Sequence, residues 1–141
     1  MVIPQLSVFI ENRSGRLTEV LEVLGGEDIR ITALSVADTS EFGILRMIVS
    51  DPVRAQKVLR DKMFTVNVTD VISVIAPNEA KQYARVLKIL SDLEISVEYT
   101  YAFSRGNKSV IILRCSNNDE AIRALKEHEM ELLNASELFK I

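Results

Sequence analysis

The sequence predicts an α+β protein built from two βαββαβ units, each with an antiparallel sheet that carries both helices on one face. Three observations support this prediction. A shift of 66 positions aligns the chain with itself without a gap and gives ten identities between residues 6–59 and their counterparts, including Val20 with Val86 and Leu59 with Leu125. Both halves place strand-like and helix-like apolar patterns in the same order. A chain of 141 residues with 48% hydrophobic residues can also form two small cores.

The first unit is predicted to cover residues 1–70. After an apolar first strand, leucines and Val20 recur at helical spacing, and Gly25-Gly26 is expected to end that helix. Two β-branched runs separated by a polar turn predict a hairpin. Asp51-Pro52 then supplies an N-cap and a first-turn proline for a second helix. The expected strands are residues 5–10, 29–37, 44–49 and 65–68, with helices over 17–24 and after residue 52.

The second unit is predicted to cover residues 71–141 and to repeat this order. Strict alternation from Ile95 onward predicts that Tyr99 and Tyr101 share a strand face with Val97. One extra residue near the end of the repeat is expected to align Met63 with Met130. The order βαββαβ with an antiparallel sheet is the ferredoxin-like arrangement. The expected strands are residues 71–76, 95–103, 110–115 and 132–138, with helices over 83–90 and 121–125.

Some strands are apolar at successive positions rather than at alternate ones. Val110 to Leu113 and Met47 to Val49 are examples. This pattern indicates burial on both faces and leads us to expect a second subunit over the helix-free face, hence a homodimer. The alternative is a sheet that is simply rich in β-forming residues.

The charge and apolar pattern disfavour several classes of partner. A net charge of −3 provides no basic field for nucleic acid. The apolar runs are far shorter than the roughly 20 residues that cross a bilayer, and the N-terminus does not resemble a signal peptide. The single cysteine, Cys115, agrees with a reducing compartment, so a cytoplasmic protein without a membrane or nucleic-acid partner is expected.

The sequence offers no catalytic constellation. His128 is the single histidine, and Cys115 lies thirteen residues before it on a different predicted element, so neither a metal site nor a Cys-His nucleophile pair is expected. Nucleophile-elbow and phosphate-loop motifs are missing. We expect no enzymatic activity, no metal and no cofactor.

The segment with the clearest chemistry lies between the first strand and the first helix, at Glu11-Asn12-Arg13-Ser14-Gly15-Arg16-Leu17. Free N–H groups at a helix N-terminus can receive a carboxylate, and Gly15 lets a ligand approach the backbone. The Asn12 amide can both donate and accept hydrogen bonds, as an amino acid requires. Alternatively, Asn12 is a plain helix cap and the arginines are solvated side chains.

Two βαββαβ units with Asn-x-Ser-Gly-x-Leu after the first strand resemble the ACT domain, an amino-acid-sensing module, whose usual loop has proline where this chain has Ser14. The resemblance implies tandem ACT modules that bind an amino acid where units meet, usually in a homodimer. It assigns the ligand loop to Asn12, Arg13, Ser14, Gly15, Arg16 and Leu17. It also makes Asn78, Glu98 and Tyr99 candidates for a neighbouring strand or loop that crosses the ligand. The matching stretch of the second unit keeps Asn78 but lacks the glycine.

Two functions follow as hypotheses. The first is a non-catalytic regulatory protein that senses a small ligand, expected to be an amino acid, at the first strand–helix loop and an interface between units. The second is an interaction module with a degenerate ligand site, similar to the regulatory subunit of acetolactate synthase, that holds a metabolic enzyme as its partner.

Overall fold

The computed structural model describes residues 1–11, 13–38 and 41–140. Its contacts divide the chain into an N-terminal unit, Pro4–Thr69, and a C-terminal unit that contains Met1–Ile3 and the residues from Asp70 onward. Strand β4, Thr65–Pro77, continues through this boundary. The chain therefore has one long strand where the sequence predicted two short ones.

The N-terminal unit is a sheet covered by two helices. Its strand order is β2-β3-β1-β4, with β3 antiparallel to both of its neighbours. The helices bury Val20, Leu24 and Leu59 against the strands, and these side chains are at most 1% exposed. Its elements are β1 (Ile3–Glu11), α1 (Arg16–Gly26), β2 (Ile31–Asp38), β3 (Phe42–Val49), α2 (Pro52–Asp61) and the first part of β4.

The C-terminal unit repeats this arrangement. Its strand order is β7-β4-β6-β5, and every pair is antiparallel. Val86, Leu90 and Leu125 fill the core beneath its helices. Its elements are the second part of β4, α3 (Ala80–Asp92), β5 (Val97–Arg105), β6 (Lys108–Cys115), α4 (Asn118–Glu127), β7 (Glu131–Leu133) and α5 (Ala135–Phe139).

The 66-residue repeat is visible in the elements themselves. Both bounds of β6 and α4 lie 66 positions after those of β3 and α2. Each of these helices has a side-chain N-cap at the same place, since Asp51 accepts from the N–H of Arg54 and Asn117 from that of Glu120. The predicted fold class is thus confirmed, including the cap at Asp51.

The ends of the first helices differ from the prediction. Gly25 and Gly26 belong to α1 rather than ending it, and the chain turns at Asp28, whose φ is 55°. Glu94, its repeat counterpart, has a φ of 57° after α3. Aspartate tolerates this left-handed region better than most residues. Since glutamate occupies the matching position after α3, neither turn uses glycine.

The two units stay aligned at an offset of 66 residues beyond the point where the sequence predicted one extra residue. Met63 and Glu129 are 66 positions apart and share a left-handed conformation, with φ values of 71° and 59°. The next residues donate their N–H groups to Leu59 and Leu125, which are counterparts too. Met130 therefore corresponds to Phe64, and the alignment of Met63 with Met130 was wrong.

A β-bulge changes the face on which the tyrosines lie. Val97 pairs with Cys115, whereas Tyr99 pairs with Arg114, the adjacent residue on β6. Since neighbouring residues of a strand point to opposite faces, Tyr99 and Tyr101 lie opposite Val97, and the expectation of a shared face was wrong. The N-terminal unit has its bulge 66 positions earlier, between Ile31 and Ala33.

The end of the chain is a helix where the sequence predicted a strand over residues 132–138. After the short β7, Asn134 begins α5 with a capping box. Its side chain accepts from the N–H of Glu137 at 2.8 Å, and the Glu137 carboxylate accepts from the N–H of Asn134 at 3.2 Å. This reciprocal pair satisfies two helix N-terminal donors, which favours the helix over a continued strand.

The apolar runs are buried within the single chain. Val110 to Leu113 and Met47 to Val49 are at most 1% exposed. Burial on both faces was expected, but the cover does not require a second subunit.

Candidate functional site

The loop between β1 and α1 turns at Gly15. This residue is the N-cap of α1 and has a φ of 89°, a left-handed conformation that glycine adopts without strain. A Cβ added at Gly15 would meet no atom within 4 Å, so space lies open above the backbone here. Leu17 packs on the core of the N-terminal unit and fixes the first turn below this opening.

The first turn of α1 presents backbone donors. Gly15 provides no side-chain cap, and the Arg16 N–H makes only a long bond of 3.4 Å to the Arg13 carbonyl. Among the described residues, no acceptor meets the N–H groups of Leu17 or Thr18. Unsatisfied donors of this kind, together with the helix dipole, attract an anion.

The polar side chains of the loop are exposed. Arg13 donates its N–H to the carbonyl of Glu11 at 2.8 Å, and its guanidinium lies 3.3 Å from the Glu11 carboxylate. Ser14 is also exposed. Asn12, a further predicted ligand residue, lies outside the described residues.

Arg16 lies against the protein rather than over the loop. Its guanidinium lies 4.5 Å from the centre of the Phe64 ring and 2.6 Å from the Glu19 carboxylate. Its side chain is 17% exposed, and its buried Nε has no hydrogen-bond partner among the described residues. Arg16 therefore holds the first turn of α1 in place. The sequence identified neither Phe64 nor the N–H of Thr18 as part of the site. The one signal for the position of Arg16 is its spacing of three residues from Glu19, which suits an ion pair on a helix.

The corresponding loop of the C-terminal unit has a different shape and charge. Helix α3 begins at Ala80, two positions earlier than the repeat of α1 requires, and its N-cap, Glu79, is extended with a φ of −113°. No left-handed turn is formed here. Glu79 also places a carboxylate at the position that corresponds to Arg13 of the N-terminal unit. The N–H of the preceding residue, Asn78, donates to the carbonyl of Asn107 at 3.1 Å.

The three candidates for contacts from a neighbouring strand or loop, Asn78, Glu98 and Tyr99, do not meet within the C-terminal unit. Asn78 follows Pro77, which pairs with Lys108 at the start of β6, whereas Glu98 and Tyr99 lie near the residues that end β6. The length of β6 separates the two groups by about 20 Å. Glu98 forms an ion pair with Arg114 at 3.3 Å, and Tyr99 is half-buried.

Other chemistry has little support in the described residues. They contain no group of three metal-ligating side chains. Burial raises the pKa of the Cys115 thiol to about 11, an effect that Glu98 reinforces and Arg114 opposes. Such a thiol is protonated at neutral pH and is a poor nucleophile. Across the described ranges, no helix has the length and apolar character needed to cross a bilayer.

Tandem βαββαβ units with antiparallel sheets and helices on one face define a ferredoxin-like repeat protein. The chain matches the family model of an ACT domain pair over residues 1–141, and it belongs to this family. The resemblance noted in the sequence is thereby confirmed. A search of curated proteins found no match.

Solved structures share the whole fold. A crystal structure of protein BT0572 from Bacteroides thetaiotaomicron is 49% identical, with a TM-score of 0.95 and coverage of 100% of this chain and 98% of that one. The regulatory subunit of aspartate kinase from Thermus thermophilus, in a ligand-free form, is 12% identical, with a TM-score of 0.66 and coverage of 88% and 91%. Its counterpart from Thermus flavus is 14% identical, with a TM-score of 0.62 and coverage of 88% and 90%. The two regulatory subunits are similar in fold alone.

Proposed function

We propose that this protein is a non-catalytic regulatory protein that binds an α-amino acid at the loop between β1 and α1. The observation that carries the proposal is the left-handed Gly15 at the start of α1, next to the N–H groups of Leu17 and Thr18, which have no acceptor among the described residues. We also propose that the two predicted units, residues 1–70 and 71–141, act as two domains, although Met1–Ile3 and Asp70 make their contacts with the C-terminal unit. The protein is proposed to act as a cytoplasmic homodimer, the assembly that the resemblance to tandem ACT modules implies.

The backbone is suited to the carboxylate of the ligand. An anion at a helix N-terminus gains about 0.3 to 1 kcal/mol, and up to about 2 kcal/mol where it is partly buried. Hydrogen bonds from the N–H groups of Leu17 and Thr18 to the ligand carboxylate add to this electrostatic term. A ligand carboxylate can approach them because the space above Gly15 is open.

The side chains of the loop complete the recognition. The exposed Arg13 adds positive charge near the ligand carboxylate, and Ser14 offers a hydroxyl. Asn12 would accept from the ligand ammonium through its carbonyl oxygen. The proposed site therefore consists of residues 12–17, with Arg16 as a positioning residue and Leu17 as a core anchor.

The C-terminal unit is proposed to lack an equivalent site. It has no left-handed turn before α3, and Glu79, whose carboxylate lies 3.5 Å from the Lys81 ammonium, adds a negative charge where the N-terminal unit has Arg13. Asn78, Glu98 and Tyr99 stay candidates for contacts that a neighbouring unit makes with the ligand. One site in each chain is expected.

A thermal-shift screen with the twenty amino acids tests the proposal. A ligand at one hundred times its dissociation constant stabilises the folded protein by about 2.7 kcal/mol, which gives a clear rise in melting temperature. At least one amino acid is expected to give such a rise. Failure of all twenty at millimolar concentration would contradict amino-acid sensing.

Two glycine variants locate the binding. Gly15→Asn keeps a residue that tolerates the left-handed conformation but places a side chain in the open space. Gly106→Asn is the matched control, because Gly106 also has a positive φ, 61°, and open space around it. We expect Gly15→Asn to abolish the ligand-induced shift and Gly106→Asn to retain it. The reverse result would exclude the loop as the site.

A further inference from the structure

A cavity lies in the C-terminal unit, and none of its lining residues belongs to the loop between β1 and α1. It has a volume of about 710 Å³, and Ile75 and Leu133 provide its apolar surface. Ile75 alternates with Val74, which packs in the core under the helices, so the cavity lies on the helix-free face of the sheet. A volume of this size suits a small-molecule ligand.

One side of the cavity is cationic. Arg105 and Lys108 pair directly across the β5–β6 hairpin, and Lys140 approaches from the end of α5. Like charges at directly opposite positions of a hairpin destabilise it. Among the described residues, none of these three cations has an acidic partner within ion-pair distance. An anionic ligand would relieve this repulsion.

The other side of the cavity is anionic. Glu131 on β7 and Glu137 on α5 line it. The Glu137 carboxylate accepts a hydrogen bond from the N–H of Asn134, and the Glu131 carboxylate has no partner among the described residues. The cavity thus contains opposite charges that do not neutralise each other, with apolar side chains between them.

The sheet sets the distance between the two charged sides. Glu131 is directly opposite Ile75 on β4, and β6, which carries Lys108, is the next strand beyond β4. Two strand spacings separate β7 from β6 by about 10 Å. A ligand that contacts both sides must therefore carry its two charges at a separation comparable to this distance.

The hairpin that carries the cations is well fixed. Gly106 takes the left-handed conformation that its tight turn requires. The neighbouring Asn107 accepts the N–H of Asn78 through its carbonyl oxygen. The backbone that carries Arg105 and Lys108 therefore need not be ordered when a ligand binds.

We propose that this cavity binds a zwitterion whose carboxylate and ammonium groups are separated by a stem of several methylenes. Arg105 and Lys108 receive the carboxylate, Ile75 and Leu133 contact the stem, and Glu131 receives the ammonium. This site is separate from the Gly15 loop, so the inference goes beyond the proposed function and does not depend on it.

Three related probes test the proposal by nuclear magnetic resonance titration of the full chain. 6-Aminohexanoate carries both charges, hexanoate lacks the ammonium and 1-aminohexane lacks the carboxylate. We expect 6-aminohexanoate to give saturable shifts of the Asn107, Lys108 and Glu131 amides, with binding at least tenfold tighter than either of the others. No saturable shift at millimolar concentration, or equal binding of all three probes, would overturn the proposal.

Charge-removing variants assign the contacts. Arg105→Gln and Glu131→Gln should each weaken 6-aminohexanoate binding about tenfold, which corresponds to about 1.4 kcal/mol. Arg123→Gln on α4 is the matched control, because it removes one exposed cation outside the cavity, and it should leave the affinity unchanged. Equal effects of Arg105→Gln and Arg123→Gln would refute a specific site. Gly15→Asn should not alter this titration. A negative result for the cavity can therefore be told apart from a negative result for the amino-acid site at the Gly15 loop.

Discussion

The contact between Arg16 and Phe64 gives the first prediction. The guanidinium lies 4.5 Å from the ring centre, with the Arg16 side chain 17% exposed and Phe64 6% exposed. Cation–π contacts contribute about 0.5 to 1 kcal/mol at exposed sites and about 2 kcal/mol when desolvated. Because this pair is mostly buried, a double-mutant cycle of Arg16→Gln and Phe64→Leu should give a coupling energy of about 1 to 2 kcal/mol.

The cycle isolates this contact from the others that Arg16 makes. Arg16→Gln also removes the ion pair with Glu19, but that loss occurs with either residue at position 64 and cancels.

All three tyrosines lie in the C-terminal unit and the chain has no tryptophan, so tyrosine fluorescence does not report on this contact. Urea unfolding should be followed by circular dichroism, with hydrogen exchange of α1 amides as a second measure.

The repeat supplies a control cycle. Gln82 and Met130 stand 66 positions after Arg16 and Phe64 and have neither the charge nor the ring. Gln82→Ala and Met130→Leu should therefore be additive within about 0.5 kcal/mol. If the Arg16–Phe64 cycle were equally additive, the positioning role of Arg16 would be refuted.

Two further predictions concern the stability of the fold. Asp51→Ala and Asn117→Ala each remove an N-cap bond, of 3.1 Å and 3.0 Å, and each should lower the free energy of unfolding by about 0.5 to 2 kcal/mol; unchanged urea midpoints would contradict the cap assignment. The raised pKa of Cys115, about 11 in the folded chain against 9.0 for a free thiol, should make stability fall as pH rises from 9 to 11, because the unfolded thiol loses its proton first. The loss should approach about 2 to 3 kcal/mol and be missing in Cys115→Ala. Parallel pH profiles of the two proteins would show that burial does not perturb this thiol.

The repeat made most of the fold predictable from the sequence. Apolar periodicity and the Asp51-Pro52 cap depend on local residues, so they identify strands and helices directly. The bulge at Glu98 could not be inferred, because alternation continues through it in the sequence while the pairing with β6 shifts. Helix α5 was missed because the apolar residues after Leu132 outweighed the capping box at Asn134.

The candidate site was predictable in location and less so in detail. The glycine after the first strand indicated the turn, and its left-handed conformation agrees with that reading. The direction of the Arg16 side chain depends on Phe64, which is 48 residues away in the sequence and comes near only on folding. The early start of α3 likewise depends on the residues that replace the glycine turn in the second unit.

The central claim is that backbone donors at the start of α1 bind an amino-acid carboxylate. The most direct measurement is a nuclear magnetic resonance titration of the labelled full chain with the amino acid that stabilises it most in the thermal screen. We predict saturable shifts of the Leu17 and Thr18 amides, at the same concentrations at which the protein is stabilised, and their loss in Gly15→Asn. Saturation accompanied by unchanged Leu17 and Thr18 amides would contradict the claim.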